Sequence, residues 1–142
     1  MKTVKQLLAT KKGVLRTIGS TTRVIEALKL LAEYDIGALL VVDDGSLVGI
    51  LSERDYARKI ALVGKSSSAV TVAEIMTAKL ISVGPGQTVD ECMQLMTDGH
   101  FRHLPVLDEG RLIGVLSIGD LVKEVISDQA AVIQHLENYI QS

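Results

Sequence analysis

The sequence predicts an α+β fold built twice: two tandem repeats, each running helix, strand, helix, β-hairpin, helix, with a further helix at the C-terminus. Three observations predict it. The stretch "GILSERD" at residues 49–55 recurs as "GVLSIGD" at residues 114–120, and residues 23–60 slide onto 88–125 without a gap. Val24 then meets Val89, Glu26 Glu91, Leu39 Leu104, Asp43 Asp108, Gly45 Gly110 and Leu47 Leu112. Self-similarity at a fixed period marks a duplicated unit. Within each copy the apolar spacing changes from a helical stripe to short continuous runs, and a Gly-containing turn divides those runs. A single unit of about 55 residues buries too little surface to stand alone, so the copies are expected to pair.

Each element follows from its residues. "TVKQLL" at Thr3 matches "TVAEIM" at Thr71 once a gap of about three residues is allowed, which predicts a short helix over residues 4–8 and 72–76. A brief strand over 14–18, and over 80–83 in the second copy, comes next. Val24, Leu28 and Leu31, like Val89, Met93 and Met96, place one apolar face on a helix. Gly37 and Gly99 lie near the helix ends, where a left-handed residue is expected. "LLVVDDGSLVGIL" and "LPVLDEGRLIGVL" read as hairpins with buried strands. Ser52 and Ser117 open the closing helices. The domains are residues 3–62 and 71–126, joined by the small polar connector 63–70, with a helical extension over 127–142. There Ser127 or Asp128 is the expected cap, and Ile133, Leu136 and Ile140 share one side. That stripe folds back on the pair or, as preferred, meets a second copy. "GKS" at residues 64–66 is no phosphate loop, because Lys59 stands where the first glycine belongs.

Composition excludes several functions. Aromatics make up 3% of the 142 residues and Trp is absent, against the stacking platforms of single-stranded nucleic-acid binders. A net charge of −2 gives no polyanion footprint. No apolar run approaches the roughly 20 residues a membrane helix needs. Lys2, Lys5, Lys11, Lys12, Arg16 and Arg23 all precede the first acid, Glu26. A basic, acid-poor start also suits a transit peptide, but this segment belongs to the repeat, so a cytoplasmic protein is expected. Cys92 is the only cysteine, so no intrachain disulfide forms, and its helical register makes it a core residue. His100 and His103 straddle a helix end and a strand start with no Cys or clustered acids, so no metal is expected. No nucleophile, base and orienter occur together, and the chain is expected to be non-catalytic.

The repeated Ser-x-x-Asp has two readings. Ser52 and Ser117 are helix caps whose acids, Asp55 and Asp120, close a capping box. Alternatively a ligand uses the same polar groups at the helix start.

Strand, Gly-h-h-Ser-x-x-Asp (h aliphatic), helix, preceded by "RHLPVLD" and duplicated over residues 3–126, resembles a tandem pair of CBS (cystathionine-β-synthase) domains, the Bateman module, of the free-standing bacterial type. The resemblance implies a pseudo-twofold pair whose clefts bind adenosine ligands, AMP foremost, with ATP, ADP or NAD as further candidates. It implies that Asp55 and Asp120 hold ribose hydroxyls, with Ser52, Ser117, Arg54 and Gly119 at the helix start. Arg54 either adds a phosphate contact or crowds the cleft. An ionised carboxylate has lone pairs enough for two hydroxyls, and helix-start N–H groups suit phosphate. Each cleft would be completed by the other copy: Lys79, Leu80 and Ile81 for adenine and Arg102 and His103 for phosphate beside Asp55; Leu15 and Arg16 beside Asp120. Gly37 and Ala38 replace the Arg-His pair there, so Lys11 and Lys12 are the phosphate candidates, unless that cluster is simply a solvated face. The implied function is a regulatory adenine-nucleotide sensor, homodimeric and acting on an unknown protein partner. A constitutive dimerisation scaffold with vestigial clefts is the alternative.

Overall fold

The computed structural model describes residues 2–11 and 14–141. Its elements in chain order are α1 (Val4–Thr10), β1 (Thr17–Ile18), α2 (Val24–Tyr34), β2 (Ala38–Asp43), β3 (Ser46–Ser52), α3 (Glu53–Tyr56, continued by a π-helical turn, Ala57–Ala61), α4 (Val72–Ile75), α5 (Val89–Gly99), β4 (His103–Asp108), β5 (Arg111–Ser117) and α6 (Ile118–Gln141). The mixed helix-and-strand class, the two repeats and the C-terminal helix are all present.

Each hairpin turns on two residues of positive φ, Asp44 (49°) and Gly45 (78°), then Glu109 (51°) and Gly110 (80°). Two successive positive φ values make a type I′ turn, whose twist matches that of the strands it joins. Register then slips by one residue after Val41 and again after Val106, the same bulge in both copies. β1 runs parallel to β2 and β3 antiparallel to it. In the second copy only an isolated bridge, Val83 with Val106, stands where β1 would be. The strands expected over 14–18 and 80–83 are therefore shorter than their apolar runs.

Two helix-end expectations are corrected. The left-handed residues are Asp35 (φ 51°) and His100 (φ 57°), not Gly37 and Gly99. Gly99 is glycine because a Cβ there would collide with the Phe101 ring. The closing helix does not stop near residue 126: α6 continues unbroken to Gln141, and neither Ser127 nor Asp128 caps anything. No Gly or Pro interrupts that stretch to end it.

The compact units do not follow the repeat boundaries of 3–62 and 71–126. Val14–Ile81 forms a central unit, and the residues before and after it form a terminal unit. Each repeat's leading helix is thus exchanged. α4 packs Val72 and Ile75 into the core of Ile18, Val24, Leu39 and Leu51. α1 packs Val4 and Leu7 with Val89, Cys92, Leu104 and Leu116. Backbone bonds fix both: Thr77 exchanges a pair with Ile50 of β3 (2.9 Å each), and Val4 N donates to Gln87 O (2.8 Å). The motif glycines make the exchange possible. A Cβ on Gly49 would stand 2.6 Å from Met76 Sδ and 3.1 Å from Thr77 O; one on Gly114 would stand 2.8 Å from Leu8 Cδ2.

Candidate ligand-binding sites

Ser52 leaves β3 with extended dihedrals (φ −117°, ψ 162°), so its side chain turns over the first turn of α3. Its Oγ accepts from Asp55 N at 3.1 Å. Asp55 Oδ2 accepts in return from Ser52 N and Ser52 Oγ, both at 3.0 Å. Asp55 Oδ1 accepts from Thr77 Oγ1 at 3.1 Å and forms an ion pair with Lys59 Nζ, also at 3.1 Å. Lys59 also donates to Ile75 O at 2.8 Å, which ties α4 to the same carboxylate. Asp55 is 8% exposed, the one buried charged residue among the described residues. The capping box of the structural reading is therefore made in full.

Asp120 is built alike but furnished differently. Ser117 N donates to Oδ2 (2.8 Å), and Ser117 Oγ accepts from Asp120 N (3.1 Å). Lys11, just beyond α1, donates to Oδ2 at 2.8 Å and to Val115 O at 2.7 Å. Burial opposes ionisation of Asp120, but the Lys11 and Ser117 hydrogen bonds outweigh it and hold the carboxyl below its ordinary range. His103 pairs with Ser117 across the β4–β5 ladder. Burial, helped by Lys11 and Arg102 and opposed by Asp120, pushes its imidazole below the ordinary value. It is the uncharged member of a cationic group.

The structure groups His103 and Lys11 with Asp120 within the terminal unit. Lys12 lies outside the described residues. Arg102 is exposed, and its carbonyl accepts from Ile118 N (2.9 Å) as Gly37 O accepts from Glu53 N (3.0 Å). The fold asks only for a carbonyl at this position, so the guanidinium has no structural duty that glycine fails to meet. Arg54 and Gly119 are exposed on the first helical turns; Lys79 and Ile81 are exposed and Leu80 half-buried after α4; Leu15 is exposed. Arg16 instead lays its guanidinium over Tyr34, 3.6 Å from the ring centroid, a cation–π contact absent from the sequence reading. His100 is the left-handed cap of α5 while His103 lies in β4, so H-x-x-H is split between two elements.

Two site residues escaped the sequence reading. Lys59 had a signal, the i, i+4 spacing from Asp55 on a helix. Thr77 had none, because only the exchange of α4 brings it there. The second copy has Glu124 at the position of Lys59, paired with Lys2 at 3.3 Å, so its aspartate draws a lysine from the exchanged segment instead.

The CBS-domain family model matches residues 4–62 and 72–127. CBS domain-containing protein CBSX3, mitochondrial, of Arabidopsis thaliana is 45% identical over 123 residues, 83% of this chain, which spans 60% of that relative's length. Among solved structures, a protein with CBS domains from Burkholderia ambifaria MC40-6 superposes with a TM-score of 0.86 at 55% identity, over 90% of this chain and 96% of that one. The CBS domain pair of protein MJ0100, solved with 5′-methylthioadenosine and S-adenosyl-L-methionine, gives 0.79 at 28% identity, over 90% and 98%.

Proposed function

The chain belongs to the CBS-domain family, whose tandem pairs are regulatory modules, and we propose that it is a non-catalytic sensor of an adenosine ligand. AMP is the first candidate; ATP, ADP, NAD and S-adenosylmethionine follow. One observation carries the reading. The fold places a carboxylate, a serine and helix-start N–H groups together twice, and it adds Lys11 to Asp120 with His103 nearby and Arg102 beside that histidine. A vicinal diol donates to a carboxylate, and phosphate takes lysine and arginine. The ligand alters the affinity of the module for a second protein. The module works as a cytoplasmic homodimer associated through α6, with neither nucleic acid nor membrane as its partner.

Mass spectrometry of small molecules released from natively purified protein tests the class: an adenosine compound at near-stoichiometric yield is expected. In titrations, 2′-deoxy-AMP is expected to bind about tenfold or more weakly than AMP, the loss of one hydrogen bond to a charged group. Equal affinity removes the ribose role. The engaged Asp55 carboxylate favours the scaffold reading for that site, and no released or titratable ligand at either site extends that reading to the whole chain.

A further inference from the structure

The two aspartates share a motif but not a state of readiness. An ionised carboxylate offers about four lone-pair positions. At Asp55 both oxygens are engaged: Oδ2 accepts from Ser52 N and Oγ, and Oδ1 accepts from Thr77 Oγ1 and is ion-paired with Lys59. Its side chain is 11% exposed. At Asp120, Oδ2 holds Ser117 N and Lys11, while Oδ1 has no hydrogen-bond partner among the described residues. Its side chain is 25% exposed.

We infer that the sites fill in a fixed order: Asp120 takes the ligand's ribose first, through its open Oδ1, and Asp55 is locked by Thr77 and Lys59. The inference rests on the nucleotide reading above and adds which site responds. A diol arriving at Asp120 gains a charge-assisted hydrogen bond at Oδ1 without breaking one. At Asp55 it must first remove Thr77 or Lys59, and both are tied to the fold. Thr77 is bonded through its backbone to Ile50, and Lys59 to Ile75 O. The second copy cannot build the same lock, because Ala9 stands where Thr77 would be and Glu124 where Lys59 would be. Lys11 bonds Asp120 from the same unit, in which Lys11 and Arg102 both act on the neighbouring His103.

Calorimetric titration of the full chain with AMP, ATP and S-adenosylmethionine in turn tests this. One tight site per chain is expected, with any second event at least tenfold weaker. Asp120→Asn keeps a side-chain acceptor for the cap and is expected to remove the tight event; the loss of the Lys11 ion pair lowers the thermal midpoint, and a cooperative unfolding transition shows that the variant is still folded. The double variant Thr77→Val, Lys59→Met is expected to strengthen the weak event or create one. Two equal sites in the wild type, or a tight event that survives Asp120→Asn, overturns the order of filling while leaving the nucleotide reading intact. No binding of any of the three compounds to the wild type overturns both.

Discussion

Gly49 and Gly114 show how little separates a docked leading helix from an excluded one. At Gly49 a methyl group meets the Thr77 carbonyl as well as the Met76 thioether, whereas at Gly114 it meets only the end of Leu8. A flexible side chain gives way more cheaply than backbone. Gly49→Ala and Gly114→Ala are each expected to lower stability by about 1–3 kcal/mol, Gly49 the more. Urea unfolding measures it, and unchanged midpoints would mean that the glycines serve something other than close packing. His103 makes a second residue-scale prediction. Its folded pKa lies below the ordinary value of about 6.5, because burial and the neighbouring Lys11 and Arg102 disfavour the imidazolium. The unfolded chain therefore binds the proton first. Stability from the neutral ring is whole above pH 6.5 and is lost as pH falls from there toward the folded pKa. His103→Gln is expected to flatten the dependence of the urea midpoint between pH 7.5 and 5. Parallel curves for the two proteins would show that the imidazole titrates alike folded and unfolded.

Among the elements, α6 is the one whose second half is exposed throughout its described residues. From Ile126 to Ile140 it is exposed, including Ile133 (56%), Leu136 (54%) and Ile140 (81%). Isolated helices shorter than about 12–15 residues are marginal in water, so a stripe of this kind needs a partner. Ile126, Ile133, Leu136 and Ile140 recur at the heptad spacing that joins β-branched residues and leucine along a seam between two helices. The homodimer proposed above uses that seam. Light scattering on a chain ending at Ser127 is expected to show weakened association relative to the full chain. A truncated chain that stays fully dimeric would remove α6 from the interface, and a monomeric full chain would remove the dimer.

At the scale of the whole molecule, the exchange of leading helices sets what folds with what. α1 is the first element of the first repeat, yet Leu7 is buried in the terminal unit. Leu7→Ala is expected to cost about 2–5 kcal/mol by the cavity it leaves. Hydrogen exchange locates the damage: amides within residues 82–125 lose protection first, while those of β2 and β3 keep theirs. Losses confined to residues 14–60 would show that α1 folds with its own repeat.

The duplication, the α+β class, both hairpins with their Asp-Gly and Glu-Gly turns, and the capping pairs Ser52–Asp55 and Ser117–Asp120 were legible in the sequence. Each is a local rule: a spacing, a positive φ, or a side chain reaching three residues along the backbone. The family resemblance was legible for the same reason, since its motif is one continuous stretch. Tertiary structure decided the rest. Nothing local says that α1 crosses to the terminal unit and α4 to the central one; long-range packing against Gly114 and Gly49 does. That exchange carries Thr77 to Asp55 and Lys11 to Asp120. The same four-residue motif thereby becomes a closed carboxylate in one copy and an open one in the other, because an oxygen's free lone pairs depend on donors more than twenty, or more than a hundred, residues away.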